Sequence, residues 1–150
     1  MSSQSVHYSV EEYLNLEREA SYKSEYLDDE IFAMAGASRR RNLISINTGG
    51  SLNAQLAERD CEVYVSDMRV RIEATNLLTY PNVVVVCVEP RFHDEEADTL
   101  LNPVLIIEVL SKSTSRFDRG EKFEHYRTIN SFVEYLLIAQ DRFYVEQYVR

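Results

Sequence analysis

An α/β (α+β) fold is what the sequence predicts, on three observations. Two unbroken aliphatic runs, residues 83–86 and 104–107, have the length and β-branched content of strands buried on both faces. The stretches 61–66 (CEVYVS) and 68–72 (MRVRI) alternate as half-buried antiparallel strands do. Between and before these segments lie stretches of helical spacing, the longest over residues 39–58.

In chain order, Ser9 with Glu12 three residues later forms a capping-box pattern and predicts a helix over 9–18. Asp28-Asp29 is a turn signal between two short apolar stretches, so a hairpin is expected with strands near 24–27 and 30–34. Gly36-Ala37-Ser38 reads as a loop with Ser38 as the next N-cap. In the long helix, Leu43, Ile46, Gly50, Asn53 and Ala57 mark one face, widened by Ile44, Leu52 and Leu56. Gly49-Gly50 costs on the order of 1 kcal/mol per glycine relative to alanine, which points to close packing or a kink. Asp67 separates two strands and reads as a bend residue rather than a site acid. Residues 73–79 read as a loop and 80–88 as the first buried strand. The charged excursion 89–101 crowds His93, Asp94, Glu95, Glu96 and Asp98 together, but without regular spacing, so a solvated loop is expected rather than a metal site.

Asn102-Pro103 opens the second buried strand. Ser115 with Asp118 gives another capping-box-like start, for a helix to about Ile129 with Phe117, Phe123, Tyr126 and Ile129 toward the core. Residues 134–139 and 143–149 then form a hairpin at a sheet edge. The strand-like run reaches Arg150, which points to a missing C-terminal piece. One domain, 1–150, accommodates all of this.

Composition narrows the function classes. Hydrophobic residues make up 45% and charged residues 27%, as in a soluble globular protein. No apolar run approaches the roughly 20 residues of a membrane span, and the N-terminus lacks the pattern of a signal peptide, so a cytoplasmic protein is expected. Cys61 and Cys87 beside strand-like runs are expected to be buried free thiols. The net charge of −9 argues against binding DNA through bulk electrostatics. Arg39-Arg40-Arg41 is a local exception, readable as a phosphate-contacting patch or as a solvated helix start.

The chemistry is concentrated around Glu108. A buried strand should not end in a charge unless that charge has a partner. Asn82 begins one buried strand, Glu108 ends the other, and Lys122 follows on a helix. If the two strands are antiparallel, positions 82 and 108 lie at the same edge. Phosphodiester hydrolysis uses a divalent ion to lower the pKa of a water and to relieve charge on the phosphate. Mg2+ takes hard oxygen ligands, usually one or two carboxylates with waters. A nearby lysine orients the water or stabilises the developing oxyanion. Other readings stand beside this one. Glu108 could pair with Lys122 or Arg119 for structural reasons alone, and Lys122 could be an i,i+4 partner of Asp118. His125 reads as a surface residue, and Tyr80 and Tyr126 as core aromatics.

At these motifs the chain resembles the PD-(D/E)xK nuclease superfamily and, more narrowly, the Uma-two family of restriction-endonuclease-like proteins. The resemblance runs from Tyr8-Ser9-Val10-Glu11-Glu12-Tyr13 through Ser66-Asp67-Met68-Arg69-Val70, Tyr80-Pro81-Asn82-Val83-Val84, Asn102-Pro103 and Glu108-Val109-Leu110-Ser111 to Asp118-Arg119-Gly120-Glu121-Lys122-Phe123 and the final strands. It implies a restriction-endonuclease-like mixed β-sheet flanked by helices, and a metal-dependent DNA endonuclease. Asn82, Glu108 and Lys122 then stand at the catalytic positions, and Asn82, Glu108 and Glu25 hold Mg2+ or Mn2+; the patch Arg39, Arg40 and Arg41, read from its charge alone, is the candidate contact to DNA. Leu110 occupies the place of the motif's lysine, which the helix supplies as Lys122. Two departures stand out: Asn82 replaces an aspartate, and Arg41 replaces the more usual histidine before Asn42. The first removes one unit of charge from a hard-cation site and implies weakened or absent activity. The alternative is a catalytically dead, homodimeric binding or assembly module on the same scaffold.

Overall fold

The structure is a computed structural model and describes residues 6–34, 36, 38–111 and 117–150. Two five-stranded mixed sheets carry the fold where one was expected, and the terminal hairpin closes the edge of the second, as expected. Helix α1 (Val10–Glu19) leads into strands β1 (Ser24–Leu27) and β2 (Glu30–Ala33), and helix α2 (Arg39–Gln55) follows. Next come β3 (Cys61–Val65), β4 (Arg69–Ile72), β5 (Leu77–Thr79), β6 (Val83–Cys87), β7 (Thr99–Leu100) and β8 (Leu105–Val109). A single π-helical turn (Phe117–Glu121) runs into the short helix α3 (Lys122–Tyr126), and β9 (Glu134–Ile138) and β10 (Val145–Val149) finish the chain. The first sheet has the order β2-β1-β5-β4-β7, the second β10-β9-β8-β6-β3.

Local chemistry explains most of the boundaries. The Ser9 hydroxyl accepts from Glu12 N–H and the Glu12 carboxylate accepts from Ser9 N–H, so the capping box starts α1 as expected. Ser38 caps α2 by accepting from Arg41 N–H. Val83–Cys87 and Leu105–Val109 are buried nearly throughout and lie side by side in the middle of the second sheet. Their antiparallel pairing is the arrangement that brings positions 82 and 108 to one edge.

Several expectations need correction. The face of α2 that meets the sheet is built on Ser45 and Gly49, while Leu43 and Ile46 point outward. Small residues sit there because the sheet approaches closely: a Cβ on Gly49 would lie 2.6 Å from Val65 Cγ2, whereas one on Gly50 meets nothing within 4 Å. The loop expected over 73–79 contains β5, which the wholly buried Leu77 and Leu78 stitch between β1 and β4. The charged excursion contains β7 and is tied down by Arg18, which donates to both Asp94 and Asp98. His125 is half-buried and its Nδ1 lies 2.7 Å from Thr75 Oγ1; burial pushes its pKa down. The Ser115–Asp118 capping box falls outside the described residues.

Cys61 and Cys87 are not free thiols but a disulfide. The register of β3 against β6 sets them directly opposite, with Cα atoms 4.0 Å apart. Directly opposed cross-strand residues bring their Cβ atoms together, and neither cysteine's neighbours reveal that register. Among the described residues no helix is long and apolar enough to cross a membrane.

Candidate functional site

The site forms where the two sheets meet, on the face of β8 that carries Ile106, Glu108 and Leu110 toward the core. Alternation along a strand fixes this: residues two apart share a face. Glu108 is 3% exposed, and its charge has the partners that burial requires. Lys122 Nζ donates to Glu108 Oε1 at 3.0 Å, Tyr126 OH to the same oxygen at 3.0 Å, and Tyr135 OH to Oε2 at 2.7 Å. Lys122 and Tyr126 lie four residues apart on α3, so one helix face presents both. Tyr135 comes from β9, the parallel neighbour of β8.

Lys122 also reaches the other sheet. Its ammonium lies 3.5 Å from Glu25 Oε2, whose carboxylate accepts a hydrogen bond from Thr79 Oγ1 across the β1–β5 pairing. The buried ammonium therefore sits between two carboxylates drawn from different sheets. Arg119, the other cation considered for Glu108, pairs instead with Glu146.

Asn82 stands one step beyond the Val83–Ile107 pair, across from Glu108 in the ladder. Its Oδ1 accepts from Val109 N–H at 2.9 Å and its backbone oxygen accepts from Ser66 N–H. A backbone N–H can only donate, so this contact fixes which end of the amide faces it. Asn82 also lines a cleft of about 230 Å3 whose walls include Tyr22, Lys23, Arg41, Asn42 and Tyr80. A buried network braces that wall. Tyr80 OH donates to Glu17 Oε2 at 2.6 Å, the same oxygen accepts from Ser24 N–H, and Arg69 Nε donates to Tyr80 OH. Burial pushes the Tyr80 phenol well above its usual range, so it stays a donor.

The arrangement thus brings together Glu25, Glu108 and Lys122, with Asn82 beside them at the lip of the cleft. Of the arginine triplet, Arg41 lines the cleft; Arg39 and Arg40 are exposed on the same helical turn. Asp67 is a solvated bend residue paired with Lys23. Residues not singled out from sequence are Thr79, Tyr135, Tyr22 and Lys23, and Tyr126 as a donor rather than only a core aromatic. For Tyr126 the signal was its four-residue spacing from Lys122; for the others, nothing short of the strand pairing reveals the contact. Two carboxylates suffice for the usual minimum of a Mg2+ site completed by waters and substrate oxygens. Among the described residues no group of three His, Cys, Asp or Glu converges. The donor set thus fits a divalent ion in its sparsest form, with Asn82 supplying no charge.

Comparison with known proteins agrees with the fold. The solved structure of "a putative nuclease belonging to DUF820" from Anabaena variabilis ATCC 29413 superposes with a TM-score of 0.67 at 17% identity, covering 93% of this chain and 83% of that one. The uncharacterized protein sll1609 of Synechocystis sp. is 43% identical over 137 residues, which span 91% of this chain and 77% of the relative. The uncharacterized protein slr1290 of the same organism is 36% identical over 141 residues, 93% and 73% of the respective chains. Residues 10–150 match the Uma2 family, described as "Putative restriction endonuclease". With its restriction-endonuclease-like architecture and its matched motifs, the chain belongs to the Uma2 family.

Proposed function

We propose that the chain is an attenuated DNA endonuclease of the PD-(D/E)xK type, dependent on Mg2+ or Mn2+ and slowed by Asn82. One observation carries the reading: a lysine is buried between two carboxylates at the edge of a central sheet, beside a cleft walled by cations. Glu25 and Glu108 are the oxygen donors that would hold the ion, with Asn82 in place of a third, charged one. When bound, such an ion supplies a more acidic water and offsets charge on the phosphate. Tyr126 and Tyr135 fix the Glu108 carboxylate, and Lys122 aligns it against Glu25. The lysine's own part is to orient water or to stabilise charge developing on a phosphate oxygen.

Plasmid nicking tests this. Slow cleavage is expected with Mg2+ or Mn2+, a rise in Asn82→Asp as one carboxylate is restored, and loss in Glu108→Gln and Lys122→Ala. No cleavage by either the wild type or Asn82→Asp would sink the proposal.

A second reading, a non-catalytic homodimeric module on the nuclease scaffold, has its own support. Asn82 Oδ1 is already committed to Val109 N–H. The outer strand β10 exposes Val145 and Val149. Antiparallel pairing of two copies about Gln147 would set Val145 against Val149 and Glu146 against Tyr148, with no like charges opposed. This reading predicts a dimer in sedimentation that Gln147→Pro dissociates, and no metal-stimulated nicking.

A further inference from the structure

We propose that the cleft beside Asn82 binds single-stranded nucleic acid without a metal ion, holding a backbone phosphate and stacking one unpaired base on Tyr22. The inference rests on the reading above only for the class of ligand, nucleic acid.

The first support is the Asn82 amide. Its Oδ1 is turned to Val109 N–H, so the group left over is the NH2 donor. That nitrogen has no hydrogen bond among the described residues. The buried unpaired side-chain atom among them is Arg71 Nε, so the Asn82 nitrogen meets solvent. An aspartate in the same pose would turn a second oxygen outward, toward a cation. Asparagine turns a donor outward, toward an anion.

The second support is the charge of the walls. Arg41 lies in the first turn of α2 and its guanidinium has no ion pair or hydrogen bond among the described residues; Arg39 and Arg40 share that turn, which contains no acid. Lys23 Nζ is poised at the other wall by Ser66 O and by Asp67, a solvated carboxylate that offsets part of its charge. In a chain of net charge −9 this is a local concentration of cations, and cations at an N-terminal helix turn suit a phosphate.

The third support distinguishes single strands from duplex. Tyr22 on the cleft wall is 67% exposed. A solvent-facing aromatic beside cations is the pairing that grips single strands, because an unpaired base offers its face whereas a duplex offers only edges and phosphates. The volume of about 230 Å3 admits a phosphate and the group next to it, below the range of pockets that enclose drug-sized ligands.

The test is fluorescence anisotropy in EDTA with a short labelled oligonucleotide, single-stranded and as duplex. Tighter binding of the single strand is expected. Tyr22→Leu should weaken it roughly tenfold with little effect on the duplex. Arg41→Gln should weaken both forms and lower the salt slope by about one. Asn82→Asp should weaken metal-free binding while raising metal-dependent nicking. Circular dichroism checks that each variant is folded. No binding without metal, equal affinity for both forms, or an unchanged Tyr22→Leu each overturns the inference. Failure of nicking in Asn82→Asp bears on the nuclease reading alone.

Discussion

Replacing Lys122 by Met keeps the aliphatic stem and removes the ammonium, leaving a Glu108 carboxylate that is 3% exposed without the cation 3.0 Å away. Breaking a buried ion pair by deleting one partner costs about 3–5 kcal/mol. Tyr126 and Tyr135 continue to donate to the carboxylate, and hydrogen bonds to a charged group are worth about 1.5–3 kcal/mol each. The lower end of the range, about 3 kcal/mol near pH 8, is therefore expected. The sign of the pH dependence follows from linkage. Without its cation, Glu108 in the folded variant has a pKa raised above the unfolded carboxyl value of about 4.3. The deficit is absent below that value and grows as pH rises through the raised folded-state pKa. Urea denaturation of wild type and variant at pH 5 and pH 8 reads both quantities. Adding Glu108→Gln to the Lys122→Met background should recover part of the loss, giving a coupling of about 1 kcal/mol or more. A deficit below about 1 kcal/mol, or one equal at both pH values, refutes the buried pair.

Other predictions test the frame around the site. Gly49→Ala places a Cβ 2.6 Å from Val65 Cγ2 and should destabilise by about 1–3 kcal/mol, while Gly50→Ala, into open space, should stabilise by about 0.5–1 kcal/mol in thermal melts. Reducing the Cys61–Cys87 disulfide, which closes a loop with sequence separation 26, should lower stability by roughly 3 kcal/mol in urea titrations with and without dithiothreitol, and Cys61→Ser should be indifferent to reductant. Hydrogen bonds from Arg18 hold the Asp98 carboxyl at about 2, below its ordinary 3.8. A lowered carboxyl pKa adds stability above the unfolded value that is lost as pH falls from about 4 toward 2. In Asp98→Asn, stability should accordingly fall less steeply over that window in acid titrations followed by circular dichroism.

Local signals carried much of the fold. Ser9 and Glu12 announce α1 because capping is a contact across three residues, and the aliphatic runs announce β6 and β8 because burial on both faces excludes polar residues. The stripe of α2 was misleading for a physical reason. Periodicity detects large apolar residues, but close approach to Val65 selects Ser45 and Gly49 on the buried face. Strand β5 was invisible because three residues carry too little pattern, and its burial comes from neighbours distant in sequence.

The residues themselves determined that Glu108 needed a buried partner, since a carboxylate on an apolar strand is not left bare; only the family resemblance implied that Asn82 stands where an aspartate is usual. Tertiary structure alone decided that Lys122 is that partner, that Glu25 reaches it from a second sheet, and that Cys61 faces Cys87. It alone also turned the oxygen of Asn82, a residue that lines the cleft, to Val109 N–H. The physical reason is register: the offset between paired strands brings distant residues within hydrogen-bonding distance, and no short stretch of sequence encodes that offset.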